Sequence, residues 1–238
     1  MIINLWSTPR TGSVWYSKHL GKINDCVVVT EMFNRYHMNM YYHVTNNIIT
    51  NHHNYFDGCF YKDFYIENGI LKTEKVYNVR GRTVDEEEKY LQSLLHKIDA
   101  SKNNLVMHNH VMPIKEEIRK LLVGMGRNIY IHRKNKREQL GSYAIAIATK
   151  KFVSFTGTDL SEKIVDDIDP NHLHNLMTRI KFWDSLEKDN VVAYENIEFY
   201  NEQNLPIKQN INYRNRLSSS MLSIIDELAE QYEKSYKN

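Results

Sequence analysis

Cysteine, proline and glycine are all scarce in this sequence: 2, 4 and 9 residues of 238. Two thiols, Cys26 and Cys59, cannot build a disulfide framework, and without a CxxC pair they exclude a zinc ribbon. So few prolines and glycines leave no Gly/Ser/Pro-rich linker, so residues 1–238 are expected to form one domain. No apolar run approaches the ~18 residues that span a bilayer. Met1 to Trp6 lacks the basic-then-apolar layout of a signal peptide and reads as a strand, so the expectation is a reducing, cytoplasmic protein away from membranes. A charge excess is also missing. With 31 basic and 29 acidic side chains the formal net charge is +2, which excludes coating of nucleic acid by bulk charge. Any affinity for anions has to come from local clusters.

The sequence does carry a regular alternation of strand-like and helix-like segments. Ile2–Ser7, Cys26–Glu31, Leu105–Asn109, Asn128–Arg133 and Val191–Glu195 are short, mostly apolar and often β-branched, as suits strands covered on both faces of a parallel sheet. Helical periods lie between them. Val84, Leu91, Leu94, Leu95 and Ile98 form one stripe behind a capping box at Thr83 and Glu86. Leu173, Leu176, Met177, Ile180 and Trp183 form a second, and Leu217, Met221, Ile224, Ile225, Leu228 and Tyr232 a third. This order predicts an α/β fold with a parallel sheet flanked by helices. Residues 33–82, crowded with Tyr, His and Asn, are expected to be an irregular insertion after the second strand.

Ligands of open α/β sheets sit outside the carboxyl ends of the strands. The first strand there runs into Ser7-Thr8-Pro9-Arg10-Thr11-Gly12-Ser13, and a helix begins near Val14. Strand, short hydroxyl-rich loop and helix N-terminus together make a phosphate cradle, to which Arg10 adds a permanent charge. The Gly-Lys pair of a Walker A loop is missing, which disfavours ATP or GTP hydrolysis. A second cluster follows the fourth strand. Arg133, Lys134, Lys136 and Arg137 lead to Ser142 on a helix, Tyr143–Thr149, that is apolar nearly all round. Alone, such a cluster reads equally as a solvated helix start or a nucleic-acid patch.

The two segments together resemble the PAPS-dependent sulfotransferases, where PAPS is 3′-phosphoadenosine-5′-phosphosulfate. Ser7 to Trp15 is similar to their 5′-phosphosulfate loop, which in cytosolic members reads Thr-Tyr-Pro-Lys-Ser-Gly-Thr-Thr-Trp; Arg10 stands here for the lysine. Arg133 and Ser142 resemble the family's 3′-phosphate residues, with an interval of nine, one longer than in most cytosolic members. Val192-Ala193-Tyr194-Glu195-Asn196 is similar to a late Tyr-Glu-Asp strand end, and the wording around Arg133 is closer to the trehalose-sulfotransferase type. Residues 33–82 stay unmatched.

The resemblance implies a topology of the P-loop nucleotide-binding type and transfer of a sulfuryl group from PAPS to an acceptor hydroxyl, with a carbohydrate favoured. PAP, the 3′,5′-bisphosphate, would be the product, and neither a metal nor a nucleic-acid partner would take part. Arg10, Thr11, Gly12, Ser13 and Val14 would hold the 5′ side, Arg133 and Ser142 the 3′-phosphate, and Arg214 and Arg216 would close over the nucleotide. The base is open between Glu31, which the resemblance puts first, and His110, whose stretch His108-Asn109-His110-Val111-Met112-Pro113 resembles the family's Lys-Thr-His-Leu-Pro with His108 in place of lysine. Two other readings stand beside the enzyme: a nucleotide-binding protein without acceptor chemistry, and a kinase-like phosphate-binding protein. The pairs His52/His53, His108/His110 and His172/His174 have no HExxH or Cys/His spacing behind them, so no metal site is expected.

Overall fold

The computed structural model describes residues 1–30, 40–45, 48–52, 60–67, 70–78, 104–111, 114, 116–149, 164–199 and 212–236. In chain order the elements are β1 (Ile2–Ser7), α1 (Ser13–Ile23), β2 (Cys26–Thr30), β3 (Met40–Thr45), β4 (Ile48–His52), β5 (Phe60–Glu67), β6 (Ile70–Asn78), β7 (Asn104–His110), α2 (Glu116–Gly124), β8 (Arg127–His132), α3 (Lys136–Thr149), α4 (Asn171–Asp184), β9 (Val191–Ala193) and α5 (Ser219–Tyr236). The capping box at Thr83 and Glu86, with the stripe to Ile98, lies outside the described residues. No helix among the described residues is long and apolar enough to cross a membrane.

The chain divides into two compact units. Met1–Ser7 with Ser13–Tyr130 make the first, and Thr8–Gly12 with Ile131–Asn238 the second. The first unit is built on the parallel strands β2, β7, β1 and β8, in that order, flanked by helices: an α/β fold, as the alternation predicts. β1 pairs with β7 from Ile2↔Leu105 to Ser7↔His110, and β7 pairs with β2 from Cys26↔Asn104 to Thr30↔His108. With a strand on either side, β1 has its apolar residues buried on both faces. Ile3, Leu5 and Trp6 are buried, as are Val28, Leu105, Val106 and Met107 on the neighbouring strands. This burial is why those runs read as continuous rather than alternating.

The insertion after β2 is more regular than expected. β3 pairs antiparallel with β2 (Val28↔Tyr42) and β4 with β3 (Val44↔Ile49), so they extend the sheet. β5 and β6 form a separate antiparallel pair with a register shift between Asp63 and Phe64. Tyr, His, Asn and Thr dominate β3 and β4, and such residues carry no clear apolar run. The β5–β6 pair does leave a trace: Asn68-Gly69 separates two β-rich runs, the dipeptide favoured in two-residue hairpins.

The second unit is mainly helical. α3 is opened by Asn135, whose side-chain oxygen accepts the backbone N–H of Glu138 at 3.0 Å, a local N-cap. Leu140, Tyr143, Ala144 and Ile145 of α3 pack with Leu173, Leu176, Met177 and Ile180 of α4 and with Met221, Ile225, Leu228 and Ala229 of α5. At the polar edge of this core Arg137 pairs with Asp226 (3.2 Å) and with Glu233, joining α3 to α5. β9 follows β8 in the strand order. Just past β9, Glu195 accepts the backbone N–H groups of Lys134 (2.9 Å) and Asn135 (3.1 Å). Burial opposes ionisation of Glu195, but those N–H bonds, its own backbone N–H and the charge of Arg133 together hold its pKa below the ordinary carboxylate value.

Candidate functional site

β1 lies between β7 and β8; from β1 the chain goes on to β2, on the β7 side, whereas from β8 it goes on to β9, on the other side. In open sheets of this kind ligands sit outside the carboxyl ends of the parallel strands. The chain leaves those ends as Thr8–Gly12 and as Arg133–Asn135, and both stretches belong to the second unit.

Two left-handed residues shape the loop, Arg10 with φ of 65° and Gly12 with φ of 68°. At Gly12 both conformation and space demand glycine, because a Cβ would lie 2.8 Å from Phe199 Cζ and 3.0 Å from the Tyr194 ring. Arg10 has no such excuse. A non-glycine residue held there stores roughly 1–3 kcal/mol, and such strain persists only when the surroundings impose it. The surroundings here are polar. Thr11 is buried and its hydroxyl donates to Thr8 O at 2.9 Å. Gln139, fully buried on α3, donates from Nε2 to Thr8 Oγ1 at 2.9 Å and to Pro9 O at 2.7 Å.

Arg10, Arg133 and Ser142 are gathered here. Arg10 Nε donates to Ser142 Oγ at 2.9 Å, and Arg133 Nη1 reaches Arg10 O at 3.5 Å. The Arg133 guanidinium lies 4.4 Å from the centroid of the Tyr194 ring, and its other end is 3.6 Å from the more exposed Glu138. Burial first, then the neighbouring charge of Arg133, push the Arg10 pKa down to about 10, against a smaller opposing effect of Tyr194. A half-buried cation beside a second cation is relieved by an anion placed between them. The arrangement is therefore suited to a phosphate or phosphosulfate group. Arg10 and Ser142, which the resemblance assigns to different phosphates, are hydrogen-bonded to each other.

The other expected residues fall elsewhere. Ser13 and Val14 open α1 in the first unit. Arg214 is half exposed and donates to Asp226 at 3.0 Å. Arg216 is buried, and its carbonyl accepts the Val165 N–H at 2.9 Å. Glu31 lies outside the described residues. Among the described residues no three or more His, Cys, Asp or Glu side chains gather as a metal site would require.

His108 and His110 share one face of β7 in the first unit, two residues apart, and both are buried. Ser7, their neighbour at the end of β1, has its hydroxyl 2.9 Å from His108 Nε2 and 3.1 Å from His110 Nδ1. His110 Nδ1 also lies 3.3 Å from Ser7 O. A carbonyl oxygen only accepts, so this contact assigns the proton to Nδ1 of His110. Ser7→Ala is expected to lower the unfolding free energy by about 2 kcal/mol, the cost of leaving buried imidazole nitrogens without that hydroxyl. A urea titration reads this as a lower midpoint; an unchanged midpoint would show that the hydroxyl contributes nothing.

Gln139 does not stand out in the sequence, because an amide inside a basic run looks like surface. Its signal is its place three residues before Ser142, on the same face of a helix that is mostly apolar beyond its first turn. Tyr194 and Phe199, whose ring centroids are 5.2 Å apart, are the aromatic wall that Gly12 accommodates. Comparison with family models, with curated proteins and with solved structures finds no match to this chain.

Proposed function

We propose that this chain is a sulfotransferase that moves the sulfuryl group of PAPS to an acceptor hydroxyl, with a carbohydrate the favoured acceptor and the cytoplasm the favoured compartment. The observation that carries the reading is the convergence of Arg10, Arg133 and Ser142 beside a left-handed loop that follows a parallel strand. The resemblance of Ser7–Trp15 and Arg133–Ser142 to the two nucleotide loops of that family supports it from the sequence.

In the proposed reaction the acceptor oxygen attacks sulfur as the bond from sulfur to the 5′-phosphate oxygen breaks. The products are a sulfate ester and PAP, and the acceptor proton passes to a base. Charge grows on the leaving phosphate. Arg10 and the backbone N–H groups of Thr11, Gly12 and Ser13 serve to neutralise it, as preorganised donors do in acyl and phosphoryl transfer. Arg133 and Ser142 serve the 3′-phosphate, Ser142 donating its hydroxyl hydrogen to a phosphate oxygen while its oxygen still accepts from Arg10 Nε. The base is Glu31 or His110.

Calorimetric titration with PAP beside ADP tests the reading. Binding of PAP in the micromolar range is expected, with ADP weaker by about 100-fold, since a charge-assisted phosphate contact is worth about 1.5–3 kcal/mol and the 3′-phosphate makes more than one. Arg133→Ala is expected to erase that preference. Equal binding of the two nucleotides would leave only a general phosphate site, and tighter binding of ATP than of PAP would favour a kinase.

A further inference from the structure

We infer that Gln139 is a positioning residue of the phosphate loop, holding Thr8 and Pro9 so that Arg10 keeps its left-handed backbone and its contact with Ser142. The inference deepens the proposed function and rests on it for the nature of the anion.

The geometry argues it in steps. Three successive carbonyl groups of the loop are met by side-chain donors: Thr8 O by the Thr11 hydroxyl at 2.9 Å, Pro9 O by Gln139 Nε2 at 2.7 Å, and Arg10 O by Arg133 Nη1 at 3.5 Å. No peptide bond among the described residues is cis, and in a trans peptide C=O and N–H point in opposite directions. Holding Pro9 O toward Gln139 therefore turns the Arg10 N–H away from Gln139, and holding Arg10 O toward Arg133 does the same for the Thr11 N–H. Successive N–H groups turned to one side around a left-handed residue form an anion-binding nest.

Of these three donors Gln139 is the one carried on a helix of the core. Its side chain is 0 % exposed, and a second bond from the same Nε2, to Thr8 Oγ1 at 2.9 Å, fixes the amide in place. The same face of α3 presents Ser142 to Arg10 three residues later, so one rigid helix sets both the backbone and the guanidinium of the loop. Gln139 does not touch the reacting atoms in this scheme. It acts through Arg10.

Gln139→Met keeps the volume of the side chain and removes both donated bonds. Its crystal structure beside that of the wild type should show Arg10 out of the left-handed region and off Ser142. Its affinity for PAP should fall about 30-fold, the effect of losing two buried hydrogen bonds. Arg10 still at positive φ on Ser142 would overturn the inference, and so would a relaxed loop that binds PAP as tightly as before. Gln139→Glu supplies a second measurement. Its ionised carboxylate cannot donate to Pro9 O, whereas the protonated acid can. PAP affinity relative to wild type should therefore recover as pH falls from about 8 to about 5.5, since burial raises a carboxyl pKa into that range. A constant ratio across that range would count against the clamp. Should wild-type protein fail to bind PAP, the proposed function falls, while the Arg10 φ in Gln139→Met still decides whether Gln139 holds the loop.

Discussion

Arg10→Ala is expected to lower sulfuryl transfer from PAPS about a thousandfold, the scale of removing one preorganised donor from a developing negative charge. The loss should appear in kcat more than in KM, because charge on the leaving phosphate grows only as the bond to sulfur breaks. Arg10→Lys keeps the charge and matches the lysine of the cytosolic sulfotransferases, but lacks the Nε–H that meets Ser142. It should retain about a tenth of the activity. Folding should hardly notice either change. Burial and Arg133 disfavour the charged form of Arg10, so its removal relieves a repulsion while losing the bond to Ser142. Unfolding stability within about 1 kcal/mol of wild type is the expected result. Activity of Arg10→Ala within tenfold of wild type would sink the assignment, and a collapse of stability would show that Arg10 is structural.

Gly141→Ala is expected to be the reverse: a large loss of stability at a position with no chemistry. Gly141 lies within α3, where alanine is ordinarily better than glycine by about 1 kcal/mol. Here the added methyl would overlap Cγ and Cδ2 of Tyr213, and Cδ1 would be 2.8 Å away. Tyr213 cannot retreat easily, since it is 2 % exposed and packed with Leu140, Leu217 and the rest of the helical core. Overpacking of this kind costs about 3 kcal/mol and outweighs the helix propensity. In thermal unfolding it should appear as a fall of about 6–12 °C in Tm. An unchanged or raised Tm would mean that the ring moves at little cost and that the propensity term wins.

Much of the framework is legible in the amino-acid sequence. β1, β2, β7, β8 and β9 lie within two residues of the apolar runs that predict them, because strands buried on both faces must be apolar throughout, and such runs stand out against polar loops. α4 and α5 are legible from stripes such as Leu173–Trp183, since helical periodicity is written in near neighbours. The insertion is not. β3 and β4 are rich in Tyr, His and Asn and show no clear apolar run, so only their pairing reveals them as strands. The candidate site is half legible: Arg10, Gly12, Arg133 and Ser142 stand out by residue type beside strand ends, whereas Gln139 does not.

By itself the sequence determined the α/β class, the main strands and helices, and the residue types of the loop after β1, all of which follow from patterns within a few residues. Tertiary structure alone decided that Arg10 meets Ser142 across 132 positions of chain, that Gln139 reaches back 130 to Pro9, and that Ser7 lies between two histidines more than 100 residues away. The reason is that such meetings depend on strand order. Backbone hydrogen bonding between parallel strands is much the same whichever strands are neighbours, so the choice of β7 and β8 to flank β1 is made by the packing of the whole chain and leaves no local mark.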